Sequence, residues 1–149
     1  YDNLNNNIYL IGEIGALNKF RNVHSDYSLN VVNSYTVAFL HSLGVDKITL
    51  SLEMNFDKVN NLVKSYEKRY NKHPNLEVIT SYYPLVMTCI YDLNKYYNKN
   101  NLTLEGNKNS YLLKSEDNYM SIYLNKKIED NNNYFDIGIN NIRINKEIK

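Results

Sequence analysis

Ser28-Leu-Asn-Val-Val-Asn-Ser-Tyr-Thr-Val-Ala-Phe-Leu-His-Ser-Leu-Gly-Val-Asp-Lys-Ile-Thr-Leu-Ser-Leu-Glu53 reads as strand, turn, helix, glycine stop and strand, with a carboxylate just past the second strand. That order is one βαβ unit. It calls for a parallel sheet, whose sites form at the strand C-termini. The apolar continuity of residues 27–32 suits a strand covered on both faces. Asn33 and Ser34 are N-cap types for a helix over 35–43. Gly44 supplies the positive φ that ends such a helix, with Val45 as its apolar partner. The next strand is expected over 47–51.

Outward from that unit the pattern repeats. Upstream, Asn7-Ile-Tyr-Leu-Ile-Gly12 is a short buried-strand candidate, and a brief helix is expected over 16–23. Downstream, Asn55 caps a helix over 56–70 whose Phe56, Val59, Leu62, Val63 and Tyr66 form one apolar stripe. His73-Pro74 closes it, and 76–80 reads as a further parallel strand. After Asp92 the character changes. Residues 102–104, 111–114 and 120–124 are short strands, the last two a hairpin around Glu116-Asp-Asn118. Residues 135–138 read as a helix end and 141–144 as a final strand. The expected fold is α/β: a partial (β/α) TIM-type barrel with parallel strands and a β-hairpin insertion near the C-terminus, over 95–125 of a single domain, 1–149. A part-barrel leaves sheet edges unpaired, so an N-terminal half of the barrel or a second subunit is expected to complete it. The chain opens on Tyr1 rather than Met, which agrees with an upstream piece.

The 149 residues carry 17 basic and 16 acidic side chains, so no overall electrostatic pull toward nucleic acid or membrane is present. No apolar run is long enough for a transmembrane helix, no signal peptide is evident, and a cytoplasmic location is expected. The single cysteine, Cys89, permits no internal disulfide. The abundance of Asn, Lys, Ile and Tyr matches AT-rich codons, as in an AT-rich bacterium, better than an activity built on 15 tyrosines.

Leu29-Asn-Val-Val-Asn-Ser34, Leu43-Gly-Val-Asp-Lys-Ile-Thr-Leu-Ser-Leu-Glu53, Glu77-Val-Ile with Pro84-Leu85, and Gly138-Ile-Asn-Asn-Ile-Arg-Ile144 together resemble the collagenase-like peptidases of family U-32. The four blocks occur in that family's order, from about Ile11 to Ile144, and correspond to the C-terminal half of its barrel. The resemblance implies a peptidase, a hydrolase by family name. Relatives hydroxylate RNA bases or a quinone precursor with a cysteine-bound iron–sulfur cluster. In Thr80-Ser-Tyr-Tyr-Pro-Leu-Val-Met-Thr-Cys-Ile-Tyr-Asp92, Tyr91 stands where the family has a cysteine, and the cysteine pair expected near 99–104 is missing. One cysteine cannot supply the roughly four thiolates a cluster needs, so no cofactor is expected. The alternative is a non-catalytic barrel, or one that modifies RNA or a small molecule, with its cluster site degenerate.

The candidate catalytic residue is Glu53, at a strand end where such barrels place reacting groups and where the resemblance also implies a glutamate. Its structural alternative is a carboxylate stabilised by the next helix's N-terminus. Candidate ligand contacts are Asn30 and Asn33 at the neighbouring strand end, Tyr82 as a stacking surface, and Arg143 as an anchor for a carboxylate or phosphate. Asn33 can equally be an N-cap, and Arg143 can equally pair with Glu53. A peptide or an RNA is the expected ligand class. His24, His41 and His73 show no metal-ligand spacing, and Cys89 has no nucleophile signature around it. Asn101-Leu-Thr103 matches a glycosylation acceptor.

Overall fold

The computed structural model describes residues 7–99 and 102–145; Asn101 of the acceptor triplet lies outside them. The chain forms two compact units. The first holds described residues 7–79 and 131–143, the second 80–130 and 144–145.

In the first unit, β1 (Tyr9–Ile11), β2 (Val23–Ser25), β3 (Val45–Thr49) and β4 (Leu76–Tyr82, which enters the second unit after Ile79) pair in that order, all parallel. The last strand, β10 (Asn141–Ile144), lies beside β4. Helix α1 (Ser34–Ser42) connects β2 to β3 and α2 (Phe56–Tyr70) connects β3 to β4, so the βαβ order read from the sequence is present. Among the described residues no pairing joins β1 to β10, and the sheet is open.

Local chemistry sets the helix ends. Asn33 Oδ1 accepts from the Tyr35 and Thr36 amides at 3.0 and 2.9 Å, and Asn55 Oδ1 from the Lys58 amide at 3.0 Å. Gly44, at φ +90, follows α1. Asn71, left-handed at φ 51, ends α2 before His73-Pro74 is reached. Val59, Leu62, Val63 and Tyr66 of α2 are buried with Val37 and Leu40 of α1 against Ile48, Leu76 and Val78 of the sheet and Leu50 just past β3. That layer is the core, and its apolar burial supplies most of the unit's stability.

Two expected elements differ. The strand expected over 27–32 lies earlier, at Val23–Ser25, and begins at the last residue of the stretch expected to be helical. Residues Tyr27–Leu29 form a 3₁₀ turn that Asn30 ends in the left-handed region, at φ 50. Val31 is fully buried without being a strand residue, because the loop into α1 passes inside and its carbonyl accepts from the Ser51 amide at 3.0 Å. Buried loop and buried strand look alike as short apolar runs. The second difference is upstream, where the expected helix is only a 3₁₀ turn, Ile14–Asn18.

The second unit contains an antiparallel sheet in the order β5 (Leu85–Cys89), β8 (Met120–Leu124), β7 (Ser110–Ser115), β6 (Thr103–Glu105). The expected hairpin is β7–β8, closed by Glu116 N–H to Tyr119 O at 2.8 Å. A short strand, β9 (Ile128–Glu129), pairs antiparallel with Ser81 and Tyr82 of β4. The core here is small: Leu113, Met120 and Ile122, with Leu93 of α3 (Leu93–Tyr96) packed on it. Asn94 ties α3 to the sheet, donating to Leu113 O at 3.2 Å and accepting from the Leu102 amide at 2.9 Å.

Candidate functional site

Past the C-terminal end of β3 the chain turns at Ser51, whose hydroxyl accepts from the Glu53 amide at 3.3 Å. The exposed Glu53 side chain lines a cavity of about 500 Å³ where α1 and α2 begin. Asn33, Ser34, Lys58, Asn61 and Ser65 line it too, with apolar wall from Val32, Met54 and Leu62. The cavity therefore offers one carboxylate, one ammonium, two amides and two hydroxyls. Such a set can hold a polar, hydrogen-bonding segment; it contains no thiol, imidazole or second carboxylate for covalent or dyad chemistry.

Glu53 and Asn33, chosen from separate blocks of sequence, thus share one cavity. Asn33 is also the α1 N-cap, and because capping uses its Oδ1, only Nδ2 is left for a ligand. Ser34, on the cavity wall, accepts from Arg69 Nη1 at 2.6 Å, and the Arg69 guanidinium lies 3.9 Å over the Tyr35 ring. Asn30 is exposed and does not line the cavity; its left-handed backbone ends the 3₁₀ turn.

Arg143 sits elsewhere, in a network on the same sheet that sequence reading missed. Its Nη2 donates to Asp26 Oδ1 at 2.8 Å and to Thr49 Oγ1 at 3.3 Å. Its Nε lies 3.2 Å from Glu77 Oε1, at ion-pair distance but off the line of a hydrogen bond. Glu77 also accepts from Lys47 Nζ and from Thr49 Oγ1, both at 2.8 Å. Arg143 therefore pairs with Asp26 and Glu77, not with Glu53. Burial alone would raise the Glu77 pKa. The bonds from Lys47 and Thr49, with the charges of Arg143 and Lys47, outweigh it and hold the carboxyl below the usual glutamate range. Two acids facing two bases leave no net charge, so the cluster is suited to fixing β2, β3, β4 and β10 together. Arg143 is the member expected from the sequence to bind a ligand; its partners Asp26 and Thr49 lie 117 and 94 residues away, and the partners of Glu77 lie 28 to 66 residues away.

Tyr82 belongs to the second unit, paired with Ile128; burial and the Asp130 charge raise its phenol pKa and keep it neutral. Cys89, at the end of β5, packs partly buried on the Leu113–Met120–Ile122 core, as a small apolar side chain would. His41 Nδ1 lies 2.8 Å from Val45 O, and His73 bridges Glu67 Oε1 at 2.7 Å and Gly138 O at 3.0 Å. Both tie elements together. Among the described residues no three His, Cys, Asp or Glu side chains gather to hold a metal, and no helix is long and apolar enough to cross a membrane.

Comparison with family models, with curated proteins and with solved structures gives no match to this chain.

Proposed function

We propose that the chain is a divergent relative of the collagenase-like peptidases of family U-32, built on part of a (β/α) barrel, and that its Glu53 cavity binds a peptide segment without cleaving it. The observation that carries this reading is the meeting of Glu53 and Asn33 in one cavity beyond the parallel strands' C-terminal ends, where α/β sheets hold their ligands. Glu53 and the amides of Asn33 and Asn61 match the N–H and C=O groups of a peptide, and Lys58 matches an acidic side chain or chain end. The part-barrel is supported by the parallel order β1-β2-β3-β4, with helices packed on the sheet and a charged network within it. Strands from a preceding segment or a second subunit would complete it.

Family membership in name implies hydrolysis, but the cavity holds a single carboxylate beside an ammonium, and its lining has no thiol and no imidazole to activate a serine hydroxyl. Binding and cleavage separate in one experiment. Fluorescently labelled gelatin peptides are titrated with the chain, followed by anisotropy, and then analysed for new ends by mass spectrometry. The expected result is saturable binding, weakened tenfold or more by Glu53→Gln, with the peptides intact. Cleavage that disappears in Glu53→Gln would replace this reading with the hydrolytic one. No binding at millimolar peptide would overturn both.

A further inference from the structure

The two edges of the antiparallel sheet are built differently. At one edge, β6 has only three residues, closes on Glu105, and is followed by Gly106 and Lys108. Short length and charge are the ordinary means by which an edge avoids pairing with another chain. At the other edge, β5 is longer and uncharged, blunted by Pro84 before it and a bulge near its start. From Tyr82 to Tyr91 there is no charged residue, and four of the five β5 residues are exposed. Beyond it, Ile90 and Tyr91 are 82% and 77% exposed. The one irregularity is a bulge between Leu85 and Met87. Among the described residues only β8 pairs with β5, so alternate N–H and C=O groups on its far side face outward.

Backbone groups in that row specify the partner's conformation: it must be an extended strand. The absence of charge specifies its chemistry, because a charged strand would bury unpaired ions against Leu85, Val86 and Met87. We infer that the occupant is β5 of a second copy, paired antiparallel across a two-fold axis at Thr88. In that register Thr88 faces Thr88, Met87 faces Cys89, and Ile90 comes beside Val86. No like charges meet, and Thr opposite Thr is a favourable cross-strand pair. A cavity of about 490 Å³ opens beside this edge, lined by Leu85, Thr88, Ile90, Tyr119 and Tyr123, with one charged residue, Glu116, on its wall. Ile90 of the second copy reaches its mouth, and symmetry makes the contact twice. The two four-stranded sheets become one of eight strands with both outer edges protected. An interface of one strand pair is small, so the dimer is expected to dissociate in the micromolar range, roughly 1–100 µM.

Sedimentation equilibrium of the purified chain across that range tests the inference. A reversible monomer–dimer equilibrium is expected. Thr88→Lys, which sets two ammonium groups opposite each other, should weaken it at least tenfold, while Leu104→Lys on the protected edge should leave it unchanged. Circular dichroism checks that each variant is folded. Register is read separately: Thr88→Cys in a Cys89→Ser background should form an intermolecular disulfide under mild oxidation. A monomer at every concentration overturns the inference, as does a dimer indifferent to Thr88→Lys. A monomer that binds an uncharged β-strand peptide also overturns it, and assigns the edge to a different polypeptide.

Discussion

The two units solve the problem of burying apolar surface to different depths. In the first, two helices cover a parallel sheet, and among the described residues 17 buried apolar side chains form one continuous core. In the second, the described residues give an antiparallel sheet with one short helix upon it and a core of Leu113, Met120 and Ile122. Cavity costs per side chain are alike in both, but the smaller core has less to lose before it fails. The first unit is expected to set global stability, and the second to open locally.

Met120→Ala and Ile48→Ala break this comparison most severely. Both side chains are fully buried, and each truncation should cost about 2–5 kcal/mol. Hydrogen exchange read residue by residue should show Met120→Ala releasing the amides of β5 to β8 while those of β3 and β4 stay protected. In Ile48→Ala protection should fall throughout the first unit. Equal loss across both units from Met120→Ala would show that they unfold as one.

The charged network gives the next largest effect. Glu77→Gln leaves Arg143 and Lys47 short of one carboxylate, a loss of roughly 3 kcal/mol at neutral pH. Because the folded Glu77 pKa is lowered, its stabilisation is present above the unfolded value, near 4.3, and is lost as pH falls through the folded one. Chemical denaturation from pH 7 downward should therefore show the wild type converging on Glu77→Gln in acid. A constant gap at every pH would mean that Glu77 stabilises by shape alone.

Asn33 allows a smaller and sharper test of cap against ligand contact. Asn33→Ala should cost about 1 kcal/mol through the lost cap, whereas Asn33→Asp keeps the capping oxygen and exchanges the Nδ2 donor for a negatively charged oxygen. Thermal melts should place Asn33→Asp near wild type. Peptide binding should weaken in both, and undiminished binding in Asn33→Asp would leave Asn33 with a capping role only.

What could be read from the sequence was what local chemistry determines. The bounds of α2, the Asn33 and Asn55 caps, the Gly44 stop and the β7–β8 hairpin all depend on residues within a few positions of each other. The strand expected at 27–32 was misplaced because Val31 is buried by tertiary packing, which a local pattern cannot separate from a strand. β5 was not anticipated, since Pro84 and an exposed uncharged run carry no alternation to reveal it. The placement of Glu53 past a strand end and of Asn33 at a helix start was legible, because both follow from the local βαβ pattern. The Asp26–Arg143 pair spans 117 residues, and only the folded sheet brings it together.

The most direct test of the Glu53 cavity is an isotope-labelled NMR titration with the gelatin peptides used for binding. Peptide binding in this cavity predicts saturable shifts concentrated at Val32–Ser34, Glu53–Met54, Lys58 and Asn61–Ser65, and their loss in Glu53→Gln. Shifts centred on β5, or on the Asp26–Arg143–Glu77 cluster with these residues unmoved, would contradict it.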